Sequence, residues 1–507
     1  MASERADRLR VRGLPWGLAL TGVVLGLAVA RVPVALLLAG LGALVLVVGS
    51  LVEPLIGIGA ALVVGPFRAW LEIRSPGMVP QVGQAVLLVA VGAWAVRKLL
   101  ETRHLGFPKP QRSSAGVRLV PLVAFLGVSL LSLWDPVDAW TGLLEWVKWA
   151  QVLVVAVVVL DRLRETGARG VAFALAGLGA SAGVQALVGL WQFGLGGTGV
   201  ENFAIDDRFF RAYGTFQQPN PYAGLLGLVG ALAVGAAAAT FVERWGEAGP
   251  EAAALWQRLK GALLGSAWAV VPALLIVAGL GASWSRGGWM GFGAAGLVML
   301  VLLPRRSRWG LLLLGAAAVV MVGLAVTGRL PASIVERLTG FLSYVRFEDV
   351  RGVDATDATY AVLERMAHWQ AALEMWRARF WLGVGLGGYE PAYPAYRLIA
   401  WPLALGHAHN VYLNLLAEVG LLGLAAYLVW LGSLMIGVIG VVRRATGRSR
   451  ALALGLLGAW THLAVHSLVD YLLVNNVHLH VGVMVALSAY VIALSREGAH
   501  RSQRASS

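Results

Sequence analysis

Long apolar runs recur along the whole chain, each about as long as a helix that crosses a bilayer. A bilayer core needs about 20 mostly apolar residues per helix, and lipid forces backbone polar groups into helical pairing. The pattern therefore predicts an all-α polytopic membrane protein with about 12–14 transmembrane helices. The runs lie near Leu14–Ala30, Val32–Ser50, Leu51–Trp70, Val82–Val96, Leu119–Leu133, Leu143–Leu160, Val171–Phe193, Tyr222–Phe241, Leu263–Leu280, Trp289–Leu303, Leu311–Val326, Val411–Val441, Ala451–Tyr471 and Val477–Leu494. A re-entrant segment is the alternative for the second and third runs, because little separates them.

One long polar segment, Arg329–Asn410, interrupts this series. Apolar side chains recur within it at spacings of four and three, as in an amphipathic helix that lies on the membrane surface or caps the bundle. This stripe comprises Val362, Met366, Trp369, Leu373 and Trp376, with Glu364, Arg365, His368 and Arg377 beside it. We predict four regions: N-terminal membrane helices (1–193), core membrane helices (194–328), the polar segment (329–410), and C-terminal membrane helices with a tail (411–507).

The composition agrees with a membrane protein. Hydrophobic residues make up 58% of the chain and charged residues 13%, against roughly 25% charged in soluble domains. Cysteine is absent, which excludes a thiolate nucleophile and disulfides. The net charge of +14 indicates cytoplasmic loops rather than a nucleic-acid partner, because basic residues collect on that side of a membrane. The basic stretch Met1–Gly13 lacks a following cleavage site, so no cleavable signal peptide is predicted.

Basic residues cluster on alternate connections between the runs, which predicts that these connections and both termini face the cytoplasm. The connections Gly194–Pro221, Ser283–Gly288 and Arg329–Asn410 then face outward. Each contains arginine and none contains lysine. Arginine offers a fixed fork of donors that suits phosphate, although it can also simply extend its head group to water.

Two histidines stand at the end of the polar segment, in Leu405-Gly-His-Ala-His-Asn410. His407 and His409 therefore lie at the membrane rim, where a base for a lipid-carried substrate is needed. Arg286 lies between two closely spaced runs, at a depth that costs about 2.5–3.5 kcal/mol for a charge. An anionic ligand would offset that cost.

Two further patterns have competing interpretations. Gly383-Val-Gly-Leu-Gly-Gly388 has the spacing of a dinucleotide fingerprint, but no strand precedes it, so we read it as a tight turn. His462, His466 and Asp470 recur every fourth residue of a predicted span. Such a face can hold a metal, but mutual pairing inside the bundle explains it sufficiently. His478 and His480 are expected at the interface.

Several short motifs occur in a fixed order. They are Arg211-Ala-Tyr-Gly-Thr-Phe-Gln-Gln-Pro-Asn220, Ser285-Arg-Gly287, Glu364-Arg365, Gly383-Val-Gly-Leu-Gly387, His409-Asn410, Glu418-Val-Gly-Leu-Leu-Gly423 and His466-Ser-Leu-Val-Asp470. This order resembles the O-antigen ligase and O-antigen polymerase superfamily over roughly the C-terminal two-thirds of the chain. The chain departs from the family pattern at Phe380-Trp381, where proline is common.

The resemblance implies a bacterial inner-membrane glycosyltransferase with its site facing the periplasm. The donor would be a glycan on undecaprenyl diphosphate, and the acceptor a lipid A-core sugar or another glycan. Arg211 and Arg286 match the arginines that hold the diphosphate, and His409 matches the base, with His407 as a second candidate. Asn220, Asn410, Arg365 and Glu418 match supporting positions. No cofactor or metal is implied.

The expected chemistry is metal-independent and inverting. Two arginines can stabilise the diphosphate leaving group, histidine titrates near neutrality, and no paired-carboxylate motif favours a covalent intermediate. A polymerase of the same superfamily is the main alternative. A transporter for lipid-linked glycans is a further one, but it would predict repeated sets of spans, and none is visible.

The charge pattern yields a topology prediction. Single cysteines at Ala355 and Ala395 should react with an impermeant thiol reagent in intact spheroplasts, whereas cysteines at Gly106 and Ser449 should not. The absence of native cysteines makes each label unambiguous. Labelling at Ser449 without labelling at Ala355 would reverse the topology.

Overall fold

A computed structural model describes residues 34–74, 81–105, 116–194, 203–205, 209–247, 255–329, 335, 349–354, 356 and 359–506. In this part the chain is almost entirely helical. The helices are α1 (Val34–Val52), α2 (Pro54–Val64), α3 (Arg68–Arg74), α4 (Val82–Leu105), α5 (Val120–Leu131), α6 (Ala139–Thr166), α7 (Ala168–Gly194), α8 (Pro219–Glu247), α9 (Leu255–Ala282), α10 (Arg286–Leu302), α11 (Ser307–Val326), α12 (Tyr360–Ala378), α13 (Tyr389–Tyr396), α14 (Val411–Arg444), α15 (Gly447–His466) and α16 (Val477–Ser506). Short 3-10 turns cover Gly65–Phe67, Gly116–Leu119 and Ser132–Trp134, and strands β1 (Ala204–Ile205) and β2 (Phe209–Phe210) pair antiparallel.

The predicted fold class is confirmed. Ten helices in the described part are long and apolar enough to cross a membrane, and shorter apolar helices cover Ala39–Val52 and Arg286–Leu302. Each predicted run overlaps a helix, except Leu14–Ala30, which lies outside the described residues. The labelling sites Ala355 and Gly106 also lie outside them.

The third predicted run, Leu51–Trp70, is broken in the middle. Pro66 lacks an amide hydrogen, and the chain passes through a 3-10 turn between α2 and α3. Carbonyls around the break are satisfied by side chains: Thr215 Oγ1 donates to Pro66 O (3.0 Å), and Asn476 Nδ2 donates to Gly65 O (3.1 Å). Because an unpaired carbonyl in lipid costs several kcal/mol, these bonds fasten the loop before α8 and the turn before α16 to the N-terminal helices.

The centre of the bundle is built from α8, α10 and α15, which contact one another extensively. Glycines let these helices approach around two buried histidines. A Cβ at Gly227 would lie 2.0 Å from Cε1 of His462, and one at Gly287 would lie 2.6 Å from Cδ2 of His466. Small residues at helix contacts allow such close packing in membranes.

The amphipathic helix α12 packs on α14, as a cap on the bundle. Its buried face comprises Met366, Ala367, His368, Ala371, Ala372 and Met375. The predicted stripe was therefore wrong in part. Alanines allow close approach to α14, while Trp369 and Trp376 are only half-buried.

His478 and His480 correct a second expectation. Both are buried at the start of α16 rather than interfacial. Nε2 of His478 lies 2.8 Å from Oε1 of Gln151, and Nε2 of His480 lies 2.8 Å from Oγ of Ser181. Polar side chains on α6 and α7 thus supply partners that the sequence pattern does not reveal.

A buried ion pair joins the N-terminal helices. Arg162 donates from Nε to Oε1 of Glu53 (3.0 Å) and from Nη2 to Oε2 (2.9 Å). The two side chains are 2% and 8% exposed. Glu53 also caps α2 by accepting from Leu55 N, so this pair fixes α6 against the junction of α1 and α2.

Arg162→Ala should therefore lower the stability of the detergent-solubilised protein by about 3–5 kcal/mol, because Glu53 is left as a buried, unpaired charge. Thermal or SDS unfolding measures the loss. The exposed Arg164, on the same helix, is the matched control, and its alanine variant should change stability by no more than about 0.5 kcal/mol. Equal effects of both variants would contradict a structural role for the pair.

Candidate active site

Asn410 positions the histidine that precedes it. It is the N-cap of α14, where its Oδ1 accepts from Tyr412 N (2.9 Å) and Leu413 N (3.0 Å). Its Nδ2 donates to Leu468 O (2.9 Å). One amide side chain therefore caps a helix and binds the turn after α15, which brings the end of the polar segment against that turn.

Asp470 lies in this turn and faces His409. The distance from His409 Nδ1 to Asp470 Oδ1 is 3.5 Å, and the carboxylate is buried. His409 has a positive φ of 50°, an uncommon conformation that functional residues often adopt. A carboxylate beside one ring nitrogen fixes the orientation of an imidazole and stabilises its protonated form.

The predicted common face of His462, His466 and Asp470 is wrong for its last member. Helix α15 ends at His466, so Asp470 leaves the helix and turns toward His409. His462 and His466 remain neighbours, with ring centroids 5.3 Å apart. The motif His466-Ser-Leu-Val-Asp470 pointed to Asp470 in the sequence. Its contact with His409 could not be read from that motif, because it depends on where α15 ends.

His368 of α12 lies beside His409, with the two ring centroids 5.7 Å apart. Its Nδ1 lies 2.9 Å from the Tyr389 hydroxyl, and its ring stacks on Tyr393 at 4.7 Å. Burial, with the neighbouring His409, lowers the pKa of His368 to about 4. It therefore stays neutral at physiological pH. The sequence reading did not assign His368 to the site.

His407 lies 4.5 Å from His409 between ring centroids, and its Nδ1 accepts from the His409 amide (3.2 Å). Burial and the neighbouring His409 lower the pKa of His407 to about 3. A base with so low a pKa accepts a proton weakly at neutral pH. The contacts therefore favour His409 over His407 as the base.

Asn220 joins the two predicted arginine motifs. Its Oδ1 accepts from Ser285 Oγ (2.9 Å) and from Arg211 Nη2 (3.4 Å). Arg211 also donates from Nε to Ser283 O (3.1 Å). Ser285 is the N-cap of α10, so the Arg211 side chain lies at the start of the helix that begins with Arg286.

Arg286 is the first residue of α10 and is half-buried. Within the part of the chain that the structure describes, it makes no hydrogen bond or ion pair to protein. Its charge interacts repulsively with that of Arg365 on α12. The charge of Arg365 also acts on Asp470. Two neighbouring cations at a helix N-terminus form an electrostatic site for an anion, and Asp470 connects that site to His409.

Glu418 holds the glycine turn after α12. Its Oε1 accepts from Tyr389 N (3.3 Å), and its backbone oxygen accepts from Gly385 N (2.9 Å). Positive φ angles at Gly383, Gly385 and Gly387 are compatible with the predicted tight turn. A Cβ at Gly383 would lie 2.4 Å from Ala417 O. Glu418 therefore supports the position of α13.

His407, His409 and Asp470 also form a possible metal-binding group. Their ligand atoms all lie within 4.8 Å of one another. Two imidazoles and a carboxylate are ligands that zinc accepts. This group differs from the metal site that the sequence offered as one interpretation, which consisted of His462, His466 and Asp470.

Comparison with known families adds one match. The O-antigen ligase family model matches residues 271–428, which include α10, α12 and His409, whereas Arg211 and Asp470 lie outside it. A comparison with curated proteins finds no match. The match supports the resemblance that the ordered motifs carry: residues 271–428 are similar to the O-antigen ligase family.

Proposed function

We propose that this protein transfers a glycan from undecaprenyl diphosphate to an acceptor sugar at the periplasmic face of a bacterial inner membrane. The observation that carries the proposal is the arrangement of Arg211, Arg286 and Arg365 around the start of α10, next to the His409–Asp470 pair. An anion site and a base thus adjoin within a membrane protein that is similar to the O-antigen ligase family over residues 271–428. The proposed orientation follows the basic connections, with both termini cytoplasmic.

The arginines stabilise the leaving group. As the bond between the sugar C1 and the diphosphate oxygen breaks, negative charge develops on the diphosphate. Charge-assisted hydrogen bonds from Arg286 and Arg211 contribute about 1.5–3 kcal/mol each. Arg286 has no carboxylate partner among the described residues, so no ion pair there has to break when the diphosphate binds.

The base activates the acceptor. His409 accepts the proton from the acceptor hydroxyl as its oxygen attacks C1 from the face opposite the diphosphate. Asp470 holds the imidazole and stabilises its cationic form. The carboxylate of Asp470 thus interacts with His409, whereas that of Glu418 accepts a hydrogen bond from the backbone amide of Tyr389. This division of roles favours direct displacement with inversion over a glycosyl-enzyme intermediate.

The acceptor separates a ligase from a polymerase. A polymerase must hold two undecaprenyl diphosphates, one for each substrate. The arginines around α10 form one anion site, and the described residues do not repeat the Arg211–Arg286 arrangement. This asymmetry favours the ligase, with a lipid A-core sugar as acceptor, over the polymerase.

Substitutions should separate donor binding from chemistry. Arg286→Ala should weaken binding of the lipid diphosphate by about 10- to 150-fold, the loss of one charge-assisted interaction. His409→Ala should reduce turnover by about 10²–10⁴-fold, the usual contribution of a general base, with donor binding retained. Binding of a fluorescent polyprenyl diphosphate and single-turnover transfer measure the two quantities.

Arg351→Ala is the matched control, because this exposed arginine pairs with Asp349 away from the site. Both quantities should remain as in the wild type. Transfer should also survive EDTA. Loss of activity in EDTA that a divalent ion restores would instead assign His407, His409 and Asp470 to a metal and contradict the metal-free mechanism.

A reconstitution assay should distinguish the two acceptors. Purified protein with lipid-linked oligosaccharide alone should give no product, and added lipid A-core should give one transfer product. A ladder of longer undecaprenyl-linked chains in the absence of the core acceptor would identify a polymerase. Movement of intact lipid-linked glycan across vesicles, without transfer, would identify a transporter.

A further inference from the structure

A cavity opens at the end of the bundle opposite the candidate active site. Helices α8 and α10 begin beside that site and α15 leads to it, so the other ends of the same three helices lie together at the proposed cytoplasmic surface. The cavity lies between these ends and has a volume of about 310 Å³. The proposed transfer reaction does not use it.

The inner wall of the cavity is apolar, because α8 and α15 carry small residues there. A Cβ at Gly235 would lie 2.5 Å from Cα of Gly455, so the two helix backbones touch at this level. Toward the helix ends, Ala238 and Ala239 of α8 line the cavity together with Ala451 of α15. Their methyl groups leave space that an aliphatic group can fill, whereas a hydrated anion gains nothing from such a wall.

Arginines surround the mouth of the cavity. Arg305, Arg448 and Arg450 line it, against one acidic side chain, Glu243, among the described lining residues. Nη2 of Arg448 lies 3.4 Å from Oε1 of Glu243, but these side chains are 87% and 45% exposed. An exposed pair of this kind contributes little, so the mouth keeps a net positive charge.

Backbone carbonyls hold Arg450 at this mouth. Its Nε donates to Val442 O (3.0 Å), and its Nη2 donates to Leu302 O (2.7 Å) and Leu303 O (2.8 Å). Bonds to the carbonyls at the ends of α14 and α10 stabilise those helix ends, and that role alone would account for one arginine. They leave the Nη1 donors without a protein partner in the described ranges, so Arg450 can also bind an external acceptor.

Arg305 adds a second cation at the same place. Its Nη2 donates to Ala445 O (3.3 Å), in the connection between α14 and α15. Its charge repels that of Arg450, and neither arginine forms an ion pair with a carboxylate in the part of the chain that the structure describes. Two cations held together against their repulsion favour an anion between them. Phosphate suits this place, because guanidinium forks bind it in a bidentate geometry.

We propose that this cavity binds one anionic phospholipid. The phosphate accepts hydrogen bonds from Arg305 and Arg450, and the glycerol with the first carbons of an acyl chain lies against Ala238 and Ala239. Basic pockets between membrane helices near the cytoplasmic surface recognise anionic head groups, and a free phosphate would leave the apolar wall uncovered. The volume is at the small end of the range of about 300–1,000 Å³ for ligand sites, so the cavity holds the head group while the chains continue into the bilayer.

The lipid would join three parts of the bundle: α8, α15 and the connection between α10 and α11. These helices carry Asn220, Arg286 and Asp470 at their other ends, so a lipid that fixes one end stabilises the block that carries the candidate site. The inference concerns binding alone and does not depend on the proposed transfer reaction.

Lipid titration of the delipidated, full-length protein in detergent tests this site. Native mass spectrometry measures the apparent Kd of the first bound lipid, and thermal unfolding measures the stabilisation that binding produces. Dioleoyl phosphatidylglycerol should bind and raise the melting temperature. Dioleoyl phosphatidylcholine, which has the same chains and no net charge, should bind about fivefold more weakly or worse.

Glycerol 3-phosphate supplies the free anion without the chains. It should neither raise the melting temperature nor displace phosphatidylglycerol at equal concentration. Displacement would identify a site for soluble anions and overturn the lipid assignment. Equal affinity for phosphatidylcholine and phosphatidylglycerol would overturn the role of the arginines.

Arg305→Gln should weaken phosphatidylglycerol binding about fivefold, the effect of one cation near an anionic head group. Arg308→Gln is the matched control. This exposed arginine lies at the start of α11, beside the ring of Trp309, and does not line the cavity. It should bind the lipid as the wild type does. Equal weakening by both variants would indicate a general attraction to surface charge and contradict a defined site.

Ala238→Phe tests the apolar wall. The ring would occupy the cavity with all three arginines intact, so phosphatidylglycerol should no longer raise the melting temperature. Arg450→Gln should weaken binding further than Arg305→Gln, because Arg450 is the more buried of the two arginines. Should Arg450→Gln not fold, because the helix-end carbonyls lose their donor, the other two variants decide. Unchanged lipid binding in both Arg305→Gln and Ala238→Phe would refute the site.

Discussion

The site depends on the hydrogen bonds of one asparagine amide. Asn410 caps α14 with its oxygen and binds the carbonyl of Leu468 with its nitrogen. The first interaction satisfies amides that lipid cannot solvate, and the second fixes the turn that carries Asp470. His409 and Asp470, which lie far apart in the sequence, meet because the residue between the histidine and the helix binds both elements.

The arginine side of the site is assembled in the same way. Asn220 is the second residue of α8. Its side-chain oxygen accepts hydrogen bonds from Arg211 and from Ser285, which is the N-cap of α10. Two helix N-termini and an arginine therefore converge on one amide. Helix ends need polar partners in any case, and this protein uses those partners to place charged groups. The hydrogen bonds that stabilise these helix ends therefore also position the arginine side chain of the proposed anion site.

The sequence predicted the fold class well, because apolar length and helical pairing leave few alternatives in a membrane. It also selected Arg286 and the two histidines, which stand out as polar groups at the bilayer rim. It could not predict the Asp470 contact, since that depends on α15 ending at His466. The burial of His368 was missed for a related reason: the alanines of α12, not its tryptophans, face α14. The contacts of Glu145 and Lys148 with Tyr471 could not be predicted because both residues lie inside an otherwise ordinary apolar run.

The glycine packing around His462 and His466 has a mechanical consequence. A side chain at Gly227 or Gly287 would overlap the imidazoles, so α8, α10 and α15 interlock as one block. A transporter that works by alternating access must rock one group of helices against another around its site. Here α10, which begins with Arg286, and α15, which leads to Asp470, belong to the same block. The distance between the proposed leaving-group site and the proposed base is thereby fixed, which suits the proposed transfer reaction better than transport.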